Sequence, residues 1–226
     1  MIFFLDALRF LIDPATWGML AGRLGEHLLY ACLALAAACV IALPVGLWLG
    51  HRRRGASVLL AVSGALRAMP ALGLLTFLTV ELTVGVSLPL VPTTVVLVIL
   101  AVPAVLANAF SGMAAVPAEV VDAARAVGHT EGQIVREVEL PLAAPTIVGG
   151  VRSAMVQVMA TTTVAAYIGL GGLGRLILDG LAVQSYPTMV AGALVIIAAT
   201  LVIDLALAGV QRAVRPRTAA EEGAPQ

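Results

Sequence analysis

Lysine is absent from this sequence of 226 residues, and charged residues of any kind are scarce. All 13 basic residues are arginines, and charged residues make up only 12% of the chain. A Walker A phosphate loop and a pyridoxal Schiff base both need a lysine amine, so the chain can build neither. Any ATP hydrolysis connected with this protein must therefore take place on another chain.

Apolar residues are abundant, at 61% of the sequence, and the mean hydropathy is +1.04. Soluble domains are about 45–50% apolar and about 25% charged, so this chain has too little polar surface to cover itself in water. We expect the lipid bilayer to be its solvent. The net charge is zero, which gives no reason to expect nucleic acid as a partner.

Five apolar segments are long enough to cross about 30 Å of hydrocarbon. They are residues 28–49, 58–80, 91–110, 147–168 and 189–210. Helical spacing of leucines predicts that residues 1–22 form a peripheral amphipathic helix before a membrane domain over 23–212. The polar tail, 213–226, is predicted to be disordered in the cytoplasm.

The distribution of arginines orients these spans. One side of the membrane would carry Arg52, Arg53, Arg54, Arg125, Arg136, Arg212, Arg215 and Arg217, and the other only Arg9, Arg23 and Arg175. Because cytoplasmic loops are rich in basic residues, the N-terminus is predicted to lie outside and the C-terminus inside.

Polar residues within the spans have two interpretations each. Arg67, with Met69 and Pro70 after it, would either face a bundle interior or watery cavity, or lie at the interface if the span begins later. Gln157, Thr161 and the adjacent Thr162 would either line a polar path for a compact solute, or bond back to their own helix.

The longest segment between spans begins like a capped helix. Pro117 suits the first helical position, and Val120, Ala124 and Val127 are predicted to share one face. Gly128 is a natural left-handed stop.

A second short helix follows within the same segment, residues 111–146. Thr130 and Gln133 fit a capping box, and Leu140 before Pro141 is predicted to end the helix. Such a helix pair would be either a lever gripped by another protein or an ordinary loop on the membrane surface.

The same segment resembles the EAA loop of bacterial ABC importer permeases, in which EAA, a glycine and I-x-L-P recur at fixed spacing. The matching residues are Asp122, Ala123, Ala124, Gly128, Val138, Glu139, Leu140 and Pro141. The spacing agrees throughout, with Asp122 in place of Glu and Val138 in place of Ile. In that family the loop docks into a groove of the ATPase subunit.

A wider resemblance, over about residues 20–212, is to the osmoprotectant (quaternary-amine) permeases. It rests on the stretches DAARAVG, VELPLAAPTIVGGVRSA and AAYIGLGGLGRLILDGL, and on RAMPAL, where Arg67 replaces a frequent Gln. The resemblance implies an all-α type I ABC importer fold in a bacterial cytoplasmic membrane, with glycine betaine, choline or carnitine as the solute. Methionine or another amino acid is the alternative.

The partners implied by the resemblance are an ABC ATPase, an extracytoplasmic binding protein, and a second permease that is either another copy or a paralogue. The coupling residues carried over are Asp122, Ala123, Ala124, Gly128, Glu139, Leu140 and Pro141. ATP and magnesium would bind to the ATPase, and we expect no cofactor, metal site or catalytic residue on this chain.

The run from Gly169 to Gly174 fits the dinucleotide pattern G-x-G-x-x-G, but it follows a membrane span rather than a strand. We predict instead that Gly169, Gly171, Gly172 and Gly174 allow close packing or a sharp turn at an outer gate. Two other classes of protein fit less well. A membrane hydrolase would need a nucleophile and base in the spans, and a secondary transporter would usually show inverted repeats.

Overall fold

The structure, a computed structural model, describes residues 2–215, which contain helices and no strand. The elements are α1 (Ile2–Ile12), α2 (Pro14–His51), α3 (Ala56–Arg67), α4 (Ala71–Glu81), α5 (Leu90–Ala114), α6 (Ala118–Ala126), α7 (Glu131–Gln133), a π-helical turn (Ile134–Glu139), α8 (Leu140–Thr162), a 3₁₀ segment (Thr163–Ile168), α9 (Gly174–Ala182) and α10 (Tyr186–Ala213). The predicted all-α class is confirmed.

Four helical stretches in the described residues are long and apolar enough to cross a membrane, and a fifth is obtained if a bent helix pair counts as one span. The four are α2, α5, the continuous stretch 131–168 and α10. Large apolar side chains on them stay exposed, such as Ile197 and Leu201 on α10. Exposed apolar helix faces of this kind suit a lipid environment rather than water.

The first break in the helices comes at Asp13, so the predicted peripheral segment 1–22 covers α1 and the start of α2. Thr16 Oγ1 donates to the Phe10 carbonyl, and Trp17 Nε1 donates to the Leu11 carbonyl. Where the membrane begins on α2 stays a prediction. The predicted disordered tail lies outside the described residues from position 216 onward.

The second predicted span, 58–80, is not one helix. The chain breaks after Arg67, the last residue of α3, and resumes as α4 at Ala71. Pro70 has extended backbone angles, φ −70° and ψ 113°. A proline cannot donate to the preceding turn and disfavours helical angles in Met69 before it, which accounts for the break.

The predicted helix end at Leu140–Pro141 is wrong. The chain runs from α7 through the π-helical turn into α8 without a break. In the π turn the Leu140 N–H donates to the Val135 carbonyl, five residues back. The widened turn makes room for the ring of Pro141 and removes the need for its missing N–H. The second half of the loop, from Glu131 on, and the fourth span are therefore one continuous helical stretch, which ends before Gly169 as predicted.

The described chain divides into two compact units, each with its own packing. The first consists of residues up to 37, 68–101 and 155–204, and the second of 38–67, 102–154 and residues from 205 on. In the first unit, one buried cluster contains Leu75, Val96 and Leu100, and another contains Leu173, Leu176 and Ile196. In the second, a cluster of Val116, Val121, Ala124 and Ile134 lies within the loop 111–146.

Candidate functional site

The helix pair of the loop 111–146 packs on a small apolar core of its own. Val121 and Ala124 of α6 bury their side chains against Ile134 of the π turn. The predicted face of Val120, Ala124 and Val127 is therefore wrong in part. Val120 is 41% exposed and Val127 75% exposed, because the side of α6 that faces the core carries Val121 together with Ala124. These two valines leave an apolar surface uncovered on the loop.

Gly128 ends α6 in the left-handed region, with φ +93°, as predicted. Its N–H donates to the Arg125 carbonyl at 3.0 Å, and the His129 N–H donates to the Ala124 carbonyl at 3.1 Å. These two bonds form a Schellman motif, which satisfies the last carbonyls of the helix. At the other end, α6 begins at Ala118, with Pro117 as the residue before it rather than the first helical residue.

The capping box predicted for the second helix is confirmed. The Gln133 N–H donates to Thr130 Oγ1 at 3.4 Å, and the Thr130 N–H donates to Gln133 Oε1 at 2.9 Å. These two reciprocal hydrogen bonds fix the direction in which α7 begins after the turn at Gly128.

A charged network joins the two arms of the loop on their solvent side. Arg125 donates from Nε and Nη2 to the two carboxylate oxygens of Glu131, at 2.7 and 3.0 Å. Its Nη1 donates to Asp122 Oδ1 at 2.9 Å. The hydrogen bonds to Glu131, and to a smaller extent the one to Asp122, raise the pKa of Arg125 above its usual range. Asp122, the acidic residue of the EAA-like motif, thus orients the arginine that bridges the hairpin.

His51, at the end of α2, is a contact that sequence reasoning missed. Its Nδ1 lies 2.6 Å from Glu139 Oε2, and its Nε2 lies 3.3 Å from Glu131 Oε2. Glu139 is only 1% exposed, so its carboxylate needs a partner within the protein. An acidic residue in the otherwise apolar V-E-L-P stretch was the one available signal for such a partner.

The other predicted coupling residues are distributed over the hairpin. Ala123 is exposed on α6 beside the buried Ala124, and Leu140 and Pro141 lie at the start of α8. The structure therefore brings most of the motif into one unit, with Glu139 on its inner side and Asp122 on its outer side.

The polar residues of the fourth span make bonds within the first unit. Gln157 Nε2 donates to the Leu100 carbonyl at 3.2 Å. Thr161 and Thr162 donate to the carbonyls four residues before them, at 2.8 and 2.7 Å. These bonds are the ones expected for the structural interpretation of the threonines. Their lining of a path stays a prediction.

Arg67, Met69 and Pro70 lie at the break between α3 and α4, and all three are exposed. In this chain Arg67 is not in a buried interior. Its contact with solute stays a prediction, as does that of Met69 and Pro70.

The glycine turn, residues 169–174, is fastened to the first part of α2. Gly169 and Gly172 have φ +85° and +89°, and the Gly172 N–H donates to Glu26 Oε2 at 2.7 Å. A Cβ at Gly171 would collide with the same carboxylate. Glu26 is a second residue that sequence reasoning missed, and nothing in its local sequence indicated the contact.

Gly174 and His27 also make close contacts in or beside the glycine turn. A Cβ on Gly174 would collide with the carbonyl oxygen of Thr163. The fully buried His27 lies behind the turn, with its Nε2 3.0 Å from the Met159 carbonyl oxygen. The four predicted outer-gate glycines thus lie in one crowded turn.

Residues 42–220 match the family described as the binding-protein-dependent transport system inner membrane component. The chain is 30% identical to the glycine betaine/carnitine/choline transport system permease protein OpuCB of Bacillus subtilis, over 88% of this chain and 90% of that one. It is 31% identical to the choline transport system permease protein OpuBB of the same organism, over 88% and 90%. It is also 28% identical to the osmoprotectant import permease protein OsmW of Salmonella typhimurium, over 94% and 99%.

Among solved structures, the chain is similar to an inward-facing form of the MetNI methionine ABC transporter, with a TM-score of 0.76 and 24% identity over 91% of this chain and 100% of that one. This likeness establishes the type I importer fold. Together with the family match, this fold agrees with the helical spans and with the EAA-like loop. The chain therefore belongs to the binding-protein-dependent inner-membrane components, the permease subunits of ABC importers, which are not themselves enzymes.

Proposed function

We propose that this permease forms the membrane path for an osmoprotectant-type quaternary amine, such as glycine betaine, choline or carnitine. The observation that carries the proposal is the identity of about 30%, over most of the chain, with permeases named for these solutes. The methionine transporter shares the fold at 24% identity, which gives less support to methionine or another amino acid as the solute.

The coupling hairpin, defined as residues 117–139, is proposed to dock on the ATPase. Its surface offers the exposed Val120 and Val127 beside the charged pair of Arg125 and Glu131. An apolar patch with an ionic rim is typical of protein interfaces. ATP and magnesium would be bound by that ATPase and not by this chain.

The continuity of the hairpin with α8 supports a rigid transmission of movement. No break separates Glu131 from Ala154 within the second unit, so a displacement at the ATPase would be carried into the start of the fourth span. Closure of the ATPases on ATP would open the outer side of the path, and hydrolysis would reset it.

A second permease, either another copy or a paralogue, would complete the path, and an extracytoplasmic binding protein would deliver the solute. Within this chain the path residues are proposed to be Arg67, Met69, Pro70, Gln157, Thr161 and Thr162. The glycine turn, with Gly169, Gly171, Gly172 and Gly174, would form the outer gate. Only 4% of the residues are aromatic, so an aromatic cage for the ammonium group would lie on the binding protein.

Uptake of labelled glycine betaine tests the proposal. The host would lack its own betaine transporters and would express this chain with its neighbouring ATPase and binding-protein genes. We expect uptake that disappears when the catalytic glutamate of the ATPase is changed to glutamine. An intact, purifiable complex that takes up no betaine, choline or carnitine would refute the quaternary-amine assignment, and uptake of methionine by it would establish the alternative.

A further inference from the structure

The end of α2 contacts the coupling hairpin at two places, although α2 is not a neighbour of the hairpin in the sequence. His51 contacts Glu139 and Glu131, which lie in the second arm of the hairpin. Just after α2, Arg53 Nη2 donates to the carbonyl oxygen of Val116, the residue directly before the hairpin. The contacts therefore reach the second arm and the point at which the first arm is joined to α5.

The ring of His51 lies between two carboxylates. Its Nδ1 is hydrogen-bonded to Glu139 Oε2 at 2.6 Å, and its Nε2 lies 3.3 Å from Glu131 Oε2. Glu139 is 1% exposed, and among the described residues His51 is its one ionic partner. Arg125 holds Glu131 from the other side, and Asp122 holds Arg125. Displacing the hairpin from α2 would leave a buried carboxylate without a partner, which proteins avoid.

The backbone at Arg53 supports the same interpretation. Its φ is +52°, in the left-handed region that residues with a Cβ rarely adopt. This conformation closes the end of α2, where the Arg54 N–H donates to the Leu49 carbonyl at 3.3 Å. A backbone conformation that costs free energy, at a residue whose side chain bonds a distant segment, is a reason to look for a function there.

We propose that His51 is a positioning residue of the coupling mechanism: it fastens the first span to the hairpin, so that a movement imposed by the ATPase passes to α2 as well as to α5 and α8. The proposal rests on the proposed function of the hairpin as the ATPase contact. It predicts a route of transmission that depends on side chains, since the covalent chain joins the hairpin only to α5 and α8.

A spin label on α2 tests the proposal without using any solute. Val45 is 45% exposed, in the same unit as His51, and would be changed to cysteine after Cys32 and Cys39 are replaced by alanine. The label would be followed in the full complex with its ATPase, before and after addition of ATP with vanadate. We expect the full spectral change with His51, a smaller change in His51→Gln and the smallest in His51→Ala, in which the close packing of α2 on α5 at Gly46 and Gly50 still carries part of the movement.

Arg54→Gln is the matched control, because Arg54 is exposed and adjacent to the same helix end. It should keep the full spectral change. Uptake per ATP hydrolysed should fall by about fivefold or more in His51→Ala while the ATPase still copurifies.

An unchanged spectral response and unchanged uptake per ATP in His51→Ala would overturn the proposal, and so would a variant in which the complex falls apart and both activities disappear together. A wild-type complex that responds to ATP but imports none of the quaternary amines would instead contradict the proposed solute.

Discussion

The coupling turn, residues 127–130, and the glycine turn, residues 169–174, both depend on glycine, but for different reasons. At Gly128 the backbone is left-handed, and a Cβ would meet no atom of the chain within 4 Å. At Gly171 and Gly174 a Cβ would collide with the chain itself. The coupling turn needs only a backbone conformation and leaves its outer side open, whereas the glycine turn needs left-handed backbone at Gly169 and Gly172 and, in addition, space at Gly171 and Gly174.

The polar contacts of the two turns differ in the same way. In the coupling hairpin, Arg125 bridges the two arms through carboxylates that are more than half exposed, and the contact with α2 is made further along, by His51 at Glu131 and Glu139. In the glycine turn, the Gly172 N–H donates to Glu26, a residue of α2 that is 146 positions away in the chain. The turn with exposed charged contacts suits docking to another protein. The turn whose own backbone is bonded to α2 suits a part whose position is set by α2.

The largest expected effect is that of Gly174→Ala. The new methyl group would meet the Thr163 carbonyl oxygen, a backbone atom that cannot rotate away. Overpacking of this kind costs about 1–3 kcal/mol. We expect a lower melting temperature of the detergent-purified chain and a lower yield.

Gly25→Ala is the control for that variant, because a Cβ there meets nothing within 4 Å and the residue lies within α2. It should leave the melting temperature equal or higher, since alanine is the better helix former. Equal melting temperatures for Gly174→Ala and wild type would show that the glycine turn has space for a methyl group at position 174, contrary to the structure.

Gly128→Val should have an intermediate effect, and one of a different kind. A left-handed conformation costs a residue with a Cβ about 1–2 kcal/mol, although space for the side chain is available. We expect the chain to insert in the membrane normally but to retain less ATPase on copurification. The control is Gly132→Ala, which lies in α7 without a positive φ and with nothing within 4 Å. Full retention of the ATPase by Gly128→Val would contradict the assignment of this turn to docking.

Local signals explain which parts of these turns could be predicted from sequence. The stop at Gly128 and the capping box of Thr130 and Gln133 depend on residues within three positions of one another. The spans follow from the length of apolar runs. The passage of the helix through Pro141 could not be predicted, because it depends on a π-helical turn that no local pattern specified.

The contacts that fasten the turns were beyond sequence reasoning for a different reason. His51 and Glu139 are 88 positions apart, and Glu26 and Gly172 are 146 apart. Neither pair has a spacing that any periodic pattern would produce. They meet only because helices that are distant in sequence pack side by side, which depends on the whole tertiary fold.

The smallest effect is expected for Gly171→Ala. This variant tests whether glycine is needed at position 171 because a side chain there would displace the Glu26 carboxylate from its hydrogen bond. The nearest atoms to the new methyl group all belong to the Glu26 carboxylate, which can swing aside at the loss of its bond to the Gly172 N–H. A hydrogen bond to a charged group contributes about 1.5–3 kcal/mol, and the 44% exposure of the Glu26 side chain places this one lower, at about 1 kcal/mol. Melting temperatures of Gly171→Ala, Glu26→Ala and the double variant form a cycle. We expect the double variant to be no less stable than Glu26→Ala alone, since the methyl group then has nothing to displace. If the two losses add, the methyl group is destabilising at position 171 for a reason other than the Glu26 carboxylate, and the close approach of that carboxylate does not explain the glycine.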